Sequence, residues 1–223
     1  MANWDRVAAS SGIAAVVLIL VGFASSGSSP SWTASGSTIA QSVASHHDSG
    51  LASVIIVGFG LMALIWFAAT LGSVLRANGE DRLGSVVLAG AAVFVSIFAI
   101  AGVVRLTLFY GSAGGDPQLT KALFQMQALA TTLAFLPLAL VIFASAVAAA
   151  RSKVLPGWYA GISGLAALLI VVGVGTVAQS GAFSPNGGYS FIALLALAIW
   201  LLVTSILLMR GHGAVRGAEP ATA

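Results

Sequence analysis

Cysteine is absent from the 223-residue chain, which removes disulfides, thiolate zinc sites and cysteine nucleophiles from consideration. Charge is nearly as scarce. Only 7% of residues are Asp, Glu, Lys or Arg against 59% hydrophobic, too little polar surface to clothe a water-soluble globule of this length. The long apolar stretches hold no Asp, Glu, Lys or His in a core position. That argues against proton- or ion-coupled transport, which sets a carboxylate or unwound backbone near the bilayer midplane. It argues equally against haem held between helices by histidine. HExxH, GxSxG and paired intramembrane acids are also missing, so a self-contained membrane hydrolase has no visible machinery. The sequence predicts no catalytic residue, no metal and no cofactor.

What is present is length in hydrocarbon. Apolar stretches near or above the ~18–20 residues needed to cross a bilayer recur at 7–24, 51–75, 83–109, 118–150, 158–178 and 190–209. They lack the alternation of barrel strands, and hydrocarbon offers backbone groups no partner, so they read as helices. The expected fold is all-α: a polytopic bundle of six transmembrane helices over 1–209, with a disordered cytoplasmic tail over 210–223. Seven of the nine Lys and Arg residues (Arg6, Arg76, Arg82, Arg151, Lys153, Arg210 and Arg216) fall on one side of that arrangement. The positive-inside rule then sets both termini inside. The basic residues are spread singly and in pairs, which suits topology and anionic lipid rather than nucleic acid. The leader "MANWDR", with Asp5 beside Arg6, is scarcely basic. It favours a retained first helix over a cleaved signal, despite the small residues Gly22 and Ala24 that follow the apolar stretch.

Between the spans, the outer loop over 25–50 is rich in Ser and Gly and carries "STIAQSVASHH". Thr38 and Gln41 have the spacing of a capping box, and Ile39 and Val43 share a face, predicting a short helix over 37–47 lying at the membrane surface with Trp32 upstream. "RANGEDR" predicts a tight helical hairpin turning at Asn78-Gly79. "GSAGGDP" places Asp116 as a helix N-cap and Pro117 at the first helical position. The 33 residues of the fourth span would measure about 50 Å, so it tilts or extends beyond the hydrocarbon, and Pro137 is expected to bend it. Gly157, Gly161 and Gly164 form a small-residue ridge suited to close helix packing. The first and last three spans show no inverted repeat.

The succession "STIAQSVASHH", "LIWFAATLGSVLRANGEDRLGSVVLAGAAVF" and "AARSKVLPGWYAGISGLAALLIVVG" resembles bacterial, especially actinobacterial, multi-pass membrane proteins of the domain-of-unknown-function type. The likeness covers roughly residues 35 to 175, its best motif being Arg151, Pro156 and Trp158. It implies a bacterial plasma-membrane location and a multi-pass topology, and supplies no activity, cofactor or catalytic residue.

The polar groups of interest gather toward the outer ends of the spans. Arg105 comes closest to the hydrocarbon. It reads as a snorkelling residue beside an aromatic belt, as an anchor for an anionic ligand or headgroup, or as the partner of Asp116 or Asp48. Lys121 and Gln125 share a helix face at i, i+4, while Gln127 points elsewhere, and Gln179 belongs near the same boundary. Together with "VASHHDSG" they could line a small outer vestibule that binds a ligand. His46 and His47 diverge by about 100° on a helix, so they serve poorly as joint metal ligands with Asp48. The expected arrangement is that the histidines end the surface helix and that Asp48 or Ser49 caps the next span. A pH-sensing role for His46, His47 and Asp48 remains a minor alternative.

Three functional readings stay open. The leading one is a non-enzymatic integral membrane protein, either an accessory or scaffold subunit or a binder of lipid or another hydrophobic molecule at the outer leaflet. The second is a facilitative channel or permease for a small solute. The third is an enzyme subunit completed by a partner chain. Expected partners are the lipid bilayer, with a membrane-protein partner or a second copy of the chain.

Overall fold

The chain divides into helices where its apolar runs are interrupted, and the interruptions are chemically specific. At Asn78-Gly79 the helix stops because Gly79 takes φ +87°, a conformation that costs glycine little. The Gly79 and Glu80 amides then donate to the carbonyls of Arg76 and Leu75, and the Asn78 side chain donates to Val74. At Asp116 the carboxylate accepts from the Gln118 amide at 2.8 Å, and the helix starts at Pro117, as the sequence predicts. A computed structural model describes residues 3–111, 115–152, 154–175, 181–184 and 188–211. It contains α1 (Asn3–Ser25), α2 (Gly36–Ser45), α3 (His47–Ala77), α4 (Asp81–Gly111), α5 (Pro117–Ser152), α6 (Gly157–Val174) and α7 (Gly188–Met209), with no strand among the described residues. All except α2 are long and apolar enough to cross a membrane. Gln179 and the tail beyond Gly211 lie outside the described residues.

The six long helices close into a ring. α1 packs on α3 and α7, and between these α3 meets α4, α4 meets α5, α5 meets α6 and α6 meets α7. Successive long helices alternate in direction. The α3–α4 turn, the α5–α6 turn, the start of α1 and the end of α7 therefore share one end of the bundle, called here the basic end. There Arg151 Nε approaches Glu80 Oε1 at 3.3 Å, tying the two turns together. At the base of the α3–α4 hairpin the backbones nearly touch: a Cβ at Gly72 would lie 2.7 Å from the Gly84 carbonyl oxygen. The ridge of Gly157, Gly161 and Gly164 behaves otherwise. A Cβ at any of the three would meet nothing within 4 Å, so among the described residues no helix packs on the ridge.

The middle of the ring is filled by Phe67 and Trp200, both fully buried and set edge to face with centroids 5.8 Å apart. Buried polar groups here must find partners within the protein. The Trp200 indole donates to Ser163 Oγ at 3.1 Å, and the Tyr159 hydroxyl lies 3.0 Å from Thr204 Oγ1 and 3.4 Å from Ser145 Oγ. Thr204 and Ser145 in turn donate to the carbonyls of Trp200 and Ile142. Ser205 is the exception: its hydroxyl is fully buried and has no hydrogen-bond partner among the described residues.

At the other end, α2 departs from the expected surface helix. It begins at Gly36 and is capped by Ser35, whose hydroxyl accepts from the Thr38 amide at 3.2 Å, so Thr38 lies inside the first turn and is not the cap. Ile39 is fully buried in a cluster with Leu108 and Phe124. The stripe that suited a lipid surface is pressed into the seam between α4 and α5, because burying Ile39 against protein satisfies the same apolar face. The next span is likewise not capped by Asp48 or Ser49. Its N-cap is His46 without a side-chain bond, and Asp48 sits in the first turn of α3, where a carboxylate still favours the helix N-terminus.

Candidate functional site

Small residues on α3 and α4 leave a gap where larger ones would have closed it. Gly58 faces open space, and a Cβ on Gly102 would come no nearer than 3.8 Å to Val54. Ala99 and Ala101 of α4 and Ser53 of α3 are similarly short. The result is a groove of about 340 Å³ between the two helices, floored by Leu61, Val57 and Phe98 and closed at the back by Phe23, Gln127 and Thr131. Phe23 and Phe98 meet edge to face at 6.4 Å, fixing the floor. Met62 and Val103 are exposed at its rim.

Arg105 stands at the end of this groove nearer α2. It is half-buried, six residues before the end of α4 and so about 9 Å below it. Its guanidinium carbon lies 5.8 Å from the Phe109 ring centroid, a distance at which the ring face attracts a cation. No carboxylate among the described residues pairs with it. The pairing with Asp48 or Asp116 weighed from sequence is not made: Asp48 lies 2.9 Å from His47 Nδ1, and Asp116 is occupied in capping α5.

Beyond Arg105 lies a second, smaller cavity of about 40 Å³, roofed by Ser26, Ser28 and Ser29 of the connecting segment and by Ser42 and His46 of the α2 region. Arg105 and Gln127 line both cavities, so the two spaces meet at these side chains. His46 Nδ1 donates to the Ser42 carbonyl at 3.0 Å, and its ring lies directly beneath Gly27, where φ is +71° and a side chain would collide with it. His47 turns the other way and sets its ring against Phe109 and Tyr110, with centroids 6.3 and 6.2 Å apart. The adjacent histidines thus have separate surroundings, one facing the polar cavity and one the aromatic end of α4. Among the described residues no three His, Asp or Glu side chains gather as metal ligands.

The expected polar residues are therefore only partly brought together. Arg105 and His46 share the smaller cavity. Lys121 and Gln125 line neither space, and the glutamine that does is Gln127. Phe124, Gln127 and Thr131 follow i, i+3, i+7 on the face of α5 turned to the cavities, and Lys121 and Gln125 fall off that stripe. Sequence reasoning also passed over Gly58 and Gly102. One signal was available: Phe98, Gly102 and Arg105 lie at i−7, i−3 and i of one face, a small residue between an aromatic and a cation.

Chemically, the arrangement offers shape, apolar surface, the Arg105 cation, several hydroxyls and the His46 imidazole, whose Nδ1 lies 3.0 Å from Ser45 Oγ. No family model matches the chain, and no curated protein or solved structure matches it.

Proposed function

We propose that the protein is a non-enzymatic integral membrane protein that binds lipid or another hydrophobic molecule in the groove between α3 and α4. The observation that carries this reading is the junction itself: an apolar groove of about 340 Å³ ending at a cation that rests on the Phe109 ring and has no carboxylate partner among the described residues. Placing an arginine within a span costs roughly 2.5–3.5 kcal/mol at the bilayer centre and less toward the interface, so such residues normally earn their position by holding something. The groove volume falls within the range of about 300–1,000 Å³ typical of small-molecule sites.

Orientation follows from charge. Arg6, Arg76, Arg82, Arg151 and Arg210 belong to the basic end, and the positive-inside rule puts that end in the cytoplasm. The groove and its polar annex then open in the outer leaflet of a bacterial plasma membrane, the location implied by the actinobacterial resemblance. Native mass spectrometry of the chain released in mild detergent should reveal a retained amphiphile that is lost in Gly58→Leu, which fills the groove. An empty wild-type protein would refute the reading.

The accessory-subunit reading keeps one observation in its favour: among the described residues nothing covers the Gly157, Gly161 and Gly164 ridge of α6, where a partner helix could approach. Under that reading a defined partner chain co-purifies with the wild type and is lost from Gly161→Leu.

A further inference from the structure

We infer that the groove and the small cavity beyond Arg105 form one two-part site for a single-chain amphiphile with a carboxylate head, of which a fatty acid is the simplest form. The inference rests on the hydrophobic-ligand reading above and adds the chemistry of the ligand.

The argument begins with the two residues common to both spaces. Arg105 and Gln127 line the apolar groove on one side and the serine-roofed cavity on the other, so a ligand lying in the groove brings its end between them. A ligand with an apolar end would leave the guanidinium unpaired in a site it had just dried, which is the costly outcome. A ligand with an anionic end supplies the missing partner. The planar guanidinium presents parallel N–H groups that match a carboxylate with two bonds, and the Gln127 amide adds a neutral donor beside it.

Size narrows the class. Along α3 the groove runs from Ser53 to Met62, about 13 Å of helix. Its volume is near the lower limit for small-molecule sites, which suits one chain lying along the helices. The cavity for the head is small, about 40 Å³, against about 340 Å³ for the groove. Two carboxylate oxygens fit such a space. The groove offers room for one chain, so ordinary two-chain phospholipids fit it poorly. The roof is suited to a hydrogen-bonding head, because the serine hydroxyls there can turn to donate.

The test uses the purified full-length chain in detergent and displacement of a fluorescent fatty acid by palmitate, cetyl alcohol and lysophosphatidic acid of the same chain length. Palmitate is expected to bind at least tenfold tighter than the alcohol, the worth of a charge-assisted pair. Arg105→Gln should abolish that difference while leaving alcohol binding intact, and Arg105→Lys should retain part of it. Gly58→Leu should weaken palmitate and alcohol alike.

Equal binding of palmitate and alcohol to the wild type overturns the carboxylate assignment, as does an Arg105→Gln protein that still discriminates. If Gly58→Leu weakens both ligands in either case, the groove reading survives. If Gly58→Leu leaves both unchanged, the groove reading falls with it. Lysophosphatidic acid binding as tightly as palmitate replaces the carboxylate by a phosphate head and overturns the size argument. Should Arg105→Gln fail to fold, the wild-type comparison of palmitate with its alcohol decides the matter alone.

Discussion

Ser205→Ala should make this protein more stable, and Thr204→Val, one residue earlier on α7, should make it less so. Both hydroxyls are fully buried. Thr204 accepts from the Tyr159 hydroxyl at 3.0 Å and donates at 2.7 Å to the Trp200 carbonyl, whereas Ser205 has no partner among the described residues. An unpaired buried hydroxyl costs about 1–3 kcal/mol. Removing one oxygen leaves a small void, whose cost at about 24 cal/mol per Å³ is a few tenths of a kcal/mol. Ser205→Ala should therefore gain about 1 kcal/mol. In Thr204→Val the Tyr159 hydroxyl keeps only the longer approach to Ser145, and a single bond between membrane helices averages about 0.6 kcal/mol with a maximum near 1.7, so the loss should be about 1 kcal/mol. The two neighbours then differ by roughly 2 kcal/mol in opposite directions, read as melting temperatures in detergent separated by several degrees. A Ser205→Ala protein destabilised by 1 kcal/mol or more would show that this hydroxyl is engaged and refute the reasoning. The same hydroxyl faces Gly12 closely, with Phe67 beside it. Gly12→Ala should be poorly tolerated, and Ser205→Ala should recover part of the loss, a coupling that a double-mutant cycle measures.

Elsewhere the expectations follow from local packing. Gly84→Leu drives a side chain into the Gly72 carbonyl, 2.5 Å from its Cβ position, and should cost 3 kcal/mol or more or abolish folded protein on size-exclusion chromatography; Gly58→Leu, which meets open space, should melt at or above the wild type. Ile39→Ala removes the anchor of α2 and should cost about 2–4 kcal/mol, seen as faster hydrogen exchange across Gly36–Ser45 with the six long helices unchanged. Glu80→Gln breaks the pair with a largely exposed Arg151 and should cost under about 1 kcal/mol, a difference that high salt erases.

The long helices are legible because hydrophobic length is written directly in the chain. The expected spans and the observed helices agree to within a few residues for most ends, and the Asn78-Gly79 turn and the Asp116-Pro117 start hold because turn and cap chemistry is local. Rotation about each helix axis is not written in the same way. Phe59 is exposed and Phe67 fully buried on the same helix, though both are phenylalanine, because a face turned to lipid and a face turned to protein want equally apolar side chains. That degeneracy hides which of Gln125 and Gln127 meets the cavities, and whether the glycine ridge of α6 packs inward. The same lack of contrast makes Ile39 equally suited to lipid and to the seam between α4 and α5. Arg105 stands out from sequence because a charge breaks the degeneracy. The groove below it does not, since its wall is made by what Gly58 and Gly102 lack.

Ring closure also orders biosynthesis. Of the described helices α7 is synthesised after the others, and it is the one that seats between α1 and α6 and carries Trp200, the largest fully buried side chain among them. Until it arrives, the Phe67 ring has no edge against it and the Ser163 hydroxyl has no indole to receive. A chain stalled before α7 thus leaves a defined polar notch uncovered. Among the described helices, α1 is held on one side by α3 and on the other by α7, which is made well after it.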